Sequence, residues 1–515
     1  MNENNNKEAN KRIAKNTLFL YIRLGFVLLI SLYTSRVILH NLGVVDYGIY
    51  NVVAGFVSMF ALLRATLSNA TQRFYNYEKG KNGIAGMQKV FISAQYIQII
   101  FVAIIVLLAE TVGLWYVVNK MVYPVERASA VLIVYQSAVI ALIFVCLQIP
   151  YSAAIIAHEK INYYAIVGVI DVVLKLIIAI IIPIIPIDNL SIYGILIAGV
   201  SVIDYLLYSS FSKRHFPYLK FSFQFHRETF VNMIKFSGWS SLNGFSQTVK
   251  NQGLNILMNY FFGPAINAAR GISYQVKGAL LDFVMNITTA TQPQVVESYA
   301  VGNKERAYKL MFTVSKLIFF SLYMVSLPIM IEVSFVLRLW LGNEIPNYTE
   351  IFTILVLIIT LIDILSTPIS MVINASGKVA RFNLWNSILG ICVLPVAFIF
   401  LKQGSDPVMV YIVSLSISII MLFVSILIMV KETDIKVSQY IHGVLVPLFV
   451  VVISTVFLPI IVSHFLNIGF ARLITIVSLS ILLVCISGYF MGLDANEKEL
   501  VLSFVKRFAK KIKRQ

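Results

Sequence analysis

Charge is scarce in this chain: only 13% of its 515 residues are Asp, Glu, Lys or Arg. A soluble domain carries about 25%. Apolar residues reach 59%, and the mean hydropathy is +0.84. So much apolar surface cannot be hidden in a water-soluble core, and the chain must use a bilayer as solvent for its outer face. Cysteine is scarcer still. Cys146, Cys392 and Cys485 are odd in number and fit neither a disulfide framework nor a metal motif. Each lies in an apolar run and reads as a small packing residue. The six histidines are scattered, which points away from a metal centre. No glycine-rich phosphate loop is present, so a built-in ATPase is excluded. No cofactor is expected.

Residue-by-residue alternation is also missing. Spanning backbone must satisfy its own hydrogen bonds, as helices or as a closed barrel. Runs such as "IIFVAIIVLLAETVGLWYVV" are continuous, which excludes a barrel. The expected fold is an all-α integral membrane protein of about 14 transmembrane helices, since one span needs ~20 apolar residues. Most of the 41 Lys and Arg fall on the side of the two termini; only Lys120, Arg127, Lys402 and Arg472 fall on the other. The positive-inside rule places both termini in the cytoplasm. The positive balance is therefore topological, and nucleic acid is not an expected partner. The final stretch "ELVLSFVKRFAKKIKRQ" interleaves apolar and basic residues and reads as a helix lying on the inner leaflet. The loops are short, and no extramembrane catalytic domain is foreseen. The chain is not expected to be an enzyme.

Ala70-Thr71-Gln72 recurs as Ala290-Thr291-Gln292, a shift of 220. Gly43 and Gly263 repeat at the same shift. At 218, "PYSAAIIAHEKI" from Pro150 faces "PISMVINASGKV" from Pro368, with Pro, Ser, Ala and Lys in register. Spans 1–6 therefore match spans 7–12. Six is even, so the two copies enter the membrane the same way up, as parallel repeats with a site between them near midplane. The organisation that follows is a cytoplasmic N-tail (1–16), an N-lobe (17–211), a cytoplasmic linker (212–233) and a C-lobe (234–430). Two extra helices (431–491) and the basic tail (492–515) complete it.

Ionisable groups inside a bilayer are costly and mark pathways or pairs. In the seventh span Asn243, Gln247 and Lys250 are spaced to share one face, and in the eighth so are Asn267, Arg270, Tyr274 and Lys277. Two such stripes can line a cationic cleft that attracts phosphate. Arg23, Arg36 and Arg64 add basic residues in the first two spans, close enough to span ends to snorkel instead. Asp171 and Lys175 are spaced as a self-neutralising pair within one helix. Asp282 and Asp363 are, with Asp171, candidates for ion coupling.

Residues 35–63, "SRVILHNLGVVDYGIYNVVAGFVSMFALL", resemble the opening hairpin of polysaccharide flippases. The pattern is an Arg in span 1, Leu-Gly, then Tyr-Gly-x-Tyr: here Arg36, Leu42, Gly43, Tyr47, Gly48 and Tyr50. With its span number and duplication, the whole chain resembles a Wzx-type O-antigen or capsule flippase. These belong to the MOP exporter superfamily, with MurJ-like lipid II flippases and MATE exporters. The resemblance implies alternating access in the bacterial inner membrane. It implies a substrate of undecaprenyl pyrophosphate carrying an oligosaccharide repeat unit, with basic residues on helices 1, 2, 7 and 8 lining the cavity. By location those are Arg23, Arg36, Arg64, Lys250, Arg270 and Lys277. The partners it implies are the lipid-linked oligosaccharide, membrane lipids and other glycan-assembly proteins. Alternatives are a MATE-like ion-coupled exporter of small molecules, a membrane glycan polymerase or ligase, and a structural scaffold within a glycan-assembly complex. A MATE-like exporter of cations favours acidic cavity residues, against which the basic excess within the spans argues. A polymerase or ligase needs large outward loops, and a scaffold leaves the deep polar stripes unexplained.

Overall fold

In the computed structural model every regular element is helical among the described residues, 3–58, 61–158, 160–342, 344–495 and 497–498. The helices are α1 (Glu3–Ser58), α2 (Ala61–Lys81), α3 (Gly83–Leu108), α4 (Leu114–Asn119), α5 (Ala128–Leu147) and α6 (Ile149–Ala157). Next come α7 (Ile161–Ile181), α8 (Asn189–His215), α9 (Arg227–Phe262), α10 (Pro264–Ala300), α11 (Lys304–Ile331) and α12 (Val333–Leu341). The last are α13 (Thr349–Asp363), α14 (Ser366–Ser376), α15 (Val379–Lys402), α16 (Val408–Glu432), α17 (Val437–Tyr440), α18 (Val446–Phe465) and α19 (Phe470–Ser487). Most of the basic tail lies outside the described residues.

Among the described residues, eleven helical segments are long and apolar enough to cross a membrane. Spans 1 and 2 are continuous through Gly43 inside α1, and α9 and α10 carry the polar stripes.

The duplication is visible in the backbone. Gly43 turns the chain with φ 74 and ψ 169; Gly263 does so with φ 79 and ψ −176. That region is open essentially to glycine alone. A turn at Gln148 divides α5 from α6, and a turn at Ile364–Leu365 divides α13 from α14. Pro150 and Pro368 each sit in the first turn of the second piece, where a missing N–H costs nothing. Lys160 and Lys378 then cap α7 and α15 with nearly the same dihedrals, −82/47 and −93/47. The repeated Ala-Thr-Gln does one local job in both copies. Thr71 donates to the Leu67 carbonyl and Thr291 to that of Ile287, each at 2.7 Å, which satisfies the hydroxyl within its own helix.

Packing divides the chain into two compact units: Met1–Gly271 with Trp340–Asn347, and Ile272–Leu339 with Tyr348–Gln515. This division follows contacts, and so takes α9 into the first unit, where it packs on α1, α2 and α3. The first unit has a core around Tyr75, Phe91, Tyr151 and Ile155. Tyr75 donates to the Pro150 carbonyl at the α5–α6 break. The second has a core around Met311, Ile318, Ile369 and Tyr440. There Tyr440 donates to the Leu365 carbonyl, at the corresponding break.

Candidate functional site

Within the first unit, α9, the start of α10 and the second half of α1 meet along a polar seam. Two glycines let them meet. A Cβ on Gly48 would stand 1.9 Å from the Pro264 carbonyl oxygen, and one on Gly55 would stand 2.6 Å from both Asn255 and Gln252. Small residues at such contacts are how membrane helices approach closely. Asn255 donates to the Asn51 carbonyl at 3.2 Å. Asn267 donates to both the carbonyl and the side-chain oxygen of Asn255, at 2.7 Å each. Arg270 donates to the Asn251 carbonyl at 3.0 Å. One turn before Gly263, Asn259 holds the segment before α5 from both sides. It accepts from the Val122 amide and donates to the Val122 carbonyl.

The predicted stripe residues divide accordingly. Asn267 is fully buried and Arg270 is 4% exposed, and both are built into the seam. Lys250, on α9, is 7% exposed. Among the described residues no carboxylate pairs with it and no hydrogen bond reaches it. Gln247 does not share its burial and is exposed. Tyr274 and Lys277 fall in the second unit, half-buried, with the ammonium 5.5 Å from the Tyr274 ring centroid.

Arg36 is exposed on α1. Beside it lies the short segment Trp340–Asn347, which packs in the first unit although the chain on both sides of it belongs to the second. Trp340 donates to the Leu32 carbonyl at 2.7 Å, a guanidinium nitrogen of Arg36 lies near Gly342, and His40 meets Glu344 at 3.2 Å. Asp171 and Lys175 form the pair that their spacing suggests, at 2.7 Å. Asp363 is half-buried at the end of α13. The side chains of Arg23, Arg64, Asn243 and Asp282 lie outside the described residues.

Sequence reasoning missed Asn51, Asn255 and Asn259. Their signal was present as asparagines inside otherwise apolar spans, but a neutral amide stands out less than a charge. It also missed a three-residue network. Arg127 grips both carboxylate oxygens of Asp46 and, at 2.6 Å, Asp188, which caps α8 through the Ser191 amide. Burial pushes the Asp188 carboxyl up, but hydrogen bonds from Ser191 and Arg127 outweigh it and hold it below the usual carboxylate range. The second copy has a counterpart: Asp406 accepts from Tyr348 at 2.8 Å and from the Val408 amide.

No family model and no curated protein matches the chain. Solved structures do match it. A lipid II flippase, MurJ, in an inward-closed conformation is 12% identical, with a TM-score of 0.67 over 92% of this chain and 98% of that one. An inward-facing multidrug-resistance MATE-family transporter of the MOP superfamily is 15% identical, with a TM-score of 0.62 over 81% and 99%. A MOP-superfamily transporter from Pyrococcus furiosus, described as having a binding pocket of reversed polarity, is 15% identical, with a TM-score of 0.58 over 82% and 96%. The chain shares the fold of these transporters. Identities this low establish the fold and leave the cargo to the site.

Proposed function

We propose that the protein is a flippase that carries undecaprenyl-pyrophosphate-linked oligosaccharide units from the cytoplasmic to the outer leaflet of a bacterial inner membrane. The observation that carries this reading is Lys250, a lysine within a span that is 7% exposed and has no counter-ion among the described residues. An unpaired charge at such a place is costly and is retained where a ligand pairs with it. A pyrophosphate crossing ~30 Å of hydrocarbon requires that kind of shielded cation. Arg270, whose fork suits phosphate, is proposed to act with Lys250, supported by Asn267, while Lys277 and Tyr274 are proposed as substrate contacts by their place on the stripe of the eighth span. Arg23, Arg36 and Arg64 are likewise proposed as substrate contacts by their place in spans 1 and 2. Both termini are assigned to the cytoplasm, and the six-helix lobes of the sequence repeat are taken as the moving parts. Asp171, Asp282 and Asp363 are the carboxylates proposed for ion coupling, with Asp171 already neutralised by Lys175. Other membrane proteins of glycan assembly are the proposed partners.

A MATE-like exporter of small molecules shares this fold, and the fold alone supports it equally. An exporter of organic cations would favour a carboxylate where Lys250 stands, and this tips the reading toward an anionic cargo. The test is the sidedness of lipid-linked oligosaccharide in depleted cells that make the cognate glycan. They would be complemented with wild type, Lys250→Met or Lys277→Ala at matched membrane levels. Accumulation on the cytoplasmic face, relieved by wild type and not by the variants, supports the proposal. Unchanged sidedness on depletion overturns it and turns attention to small-molecule efflux.

A further inference from the structure

The segment between α8 and α9 makes an aromatic-tipped loop. Its apolar residues alternate: Phe221, Phe223 and Phe225, with Ser222 and Gln224 between them. Tyr96 of α3 holds the two outer rings, at 5.6 Å from Phe221 and 5.5 Å from Phe225. Phe225 leans on Phe230 of α9 at 5.0 Å, which fixes the base of the loop. Phe223 stands at the apex, T-shaped against Phe221 at 5.5 Å and 89% exposed. Phe221 and Phe225 remain about half exposed.

The height of this loop is set by α3. Ile99 and Ile100 are the first in a run of exposed aliphatic side chains on that helix, which continues through Ile104 and Leu107. Tyr96 lies three residues earlier, ~4.5 Å along the axis. The three Phe rings therefore stand beside the start of that exposed aliphatic run. The backbone carrying them is non-helical. Non-helical backbone at a lipid face cannot descend into hydrocarbon, so only the rings can enter. Around the loop Lys213, Arg214, Lys220, Arg227 and Lys235 are all exposed, against one exposed carboxylate, Glu228.

We propose that this loop is a binding surface for anionic phospholipid. Phe221, Phe223 and Phe225 insert among the acyl chains just below the headgroups, and Lys220 and Arg227 hold the phosphates above them. Aromatic rings and basic residues at that depth are the two components of interfacial anchoring. The occupant is the leaflet itself, because the loop is continuous with the exposed aliphatic side of α3 and its charge is complementary to anionic headgroups. The inference does not depend on which cargo the protein moves.

The full chain, with its three native cysteines replaced, is labelled with an environment-sensitive fluorophore at Phe223→Cys or, on the intervening position, at Gln224→Cys. Each is placed in nanodiscs of phosphatidylcholine alone or with phosphatidylglycerol. The expected result is blue-shifted emission at position 223, and quenching by shallow spin-labelled lipid that is stronger with spin-labelled phosphatidylglycerol than with phosphatidylcholine. Lys220→Gln with Arg227→Gln should abolish that preference. Position 224 should stay in water. Aqueous emission at 223 overturns the proposal, whether the loop is solvated or waits for a protein partner. Equal quenching by both lipids also overturns it, since the basic residues would then select nothing. The label itself reports depth, so a weakened fold cannot be mistaken for either outcome once monodisperse nanodiscs are taken.

Discussion

Gly43 and Gly263 hold the same backbone conformation 220 residues apart, φ 74 with ψ 169 and φ 79 with ψ −176. Space is not what demands glycine there. A Cβ on Gly43 would meet nothing within 4 Å, and one on Gly263 would reach only Val122, at 4.0 Å. The demand is the dihedral pair itself. Gly43→Ala and Gly263→Ala should each cost ~1–3 kcal/mol of stability. Thermal unfolding of the purified protein in detergent would show it, and an unchanged melting temperature in both variants would refute the demand for glycine.

Gly48 is constrained differently. Its dihedrals are helical, but its missing Cβ admits the Pro264 carbonyl. Gly48→Ala should force α1 and α10 apart and cost ~1–3 kcal/mol, as overpacking does. Gly25→Ala, with open space around it, is the control and should be neutral or slightly stabilising.

The two glycines show what the sequence could and could not disclose. Repetition at a fixed shift was legible from Gly43, Gly263, Pro150 and Pro368, because a backbone that must turn writes itself as residue type. The Tyr-Gly-x-Tyr pattern could be seen, but the reason for Gly48 could not, since its partner Pro264 lies far along the chain. The stripes on α9 and α10 were legible as spacing. Spacing does not say which members are buried, and so it grouped exposed Gln247 with buried Lys250. The asparagine seam was hidden for another reason: Asn255 and Asn259 are one turn apart on α9, but Asn51, which completes the seam, lies on α1, 204 residues before Asn255.

Lys316 of α11 and Glu497, beyond α19, form an ion pair whose side chains are each only 4% exposed. Thr313 and the Asp494 amide also donate to the Glu497 carboxylate. Removing one member leaves a buried charge behind. Glu497→Gln should cost ~3–5 kcal/mol, whereas Lys316→Met with Glu497→Leu should recover most of it. A double-mutant cycle on thermal stability measures this, and additive losses would mean that the pair does not act as a unit.

His158, just beyond α6, holds the segment that follows α8. It stacks on Phe216 at 4.0 Å, meets the Tyr218 hydroxyl at 3.1 Å and the Ala154 carbonyl at 2.8 Å. Burial, with Lys79 and Lys160 nearby, holds its pKa below 6.5 against the pull of the Ala154 carbonyl. The docked segment therefore favours the neutral ring. Its contribution is complete above ~6.5 and is lost as the pH falls from there toward the lowered pKa. Hydrogen exchange of residues 216–226 should quicken between pH 7.5 and pH 5.5 in the wild type, after correction for intrinsic rates. His158→Phe should remove that pH dependence, and an unchanged dependence would assign it to another group.

Lys250 and Arg270 are both buried cations, yet they should respond oppositely to the same substitution. Arg270 is tied to the Asn251 carbonyl, so Arg270→Met should lose a charged hydrogen bond worth ~1.5–3 kcal/mol along with transport. Lys250 forms no ion pair or hydrogen bond among the described residues. Lys250→Met removes a charge that no described residue pairs and keeps most of the volume, so the melting temperature should hold or rise while transport is lost. A pyrophosphate-bearing lipid should raise the melting temperature of the wild type and not that of Lys250→Met. If instead Lys250→Met destabilises the apo protein as much as Arg270→Met does, the lysine is part of the scaffold, and the anionic-cargo reading loses the residue on which it rests.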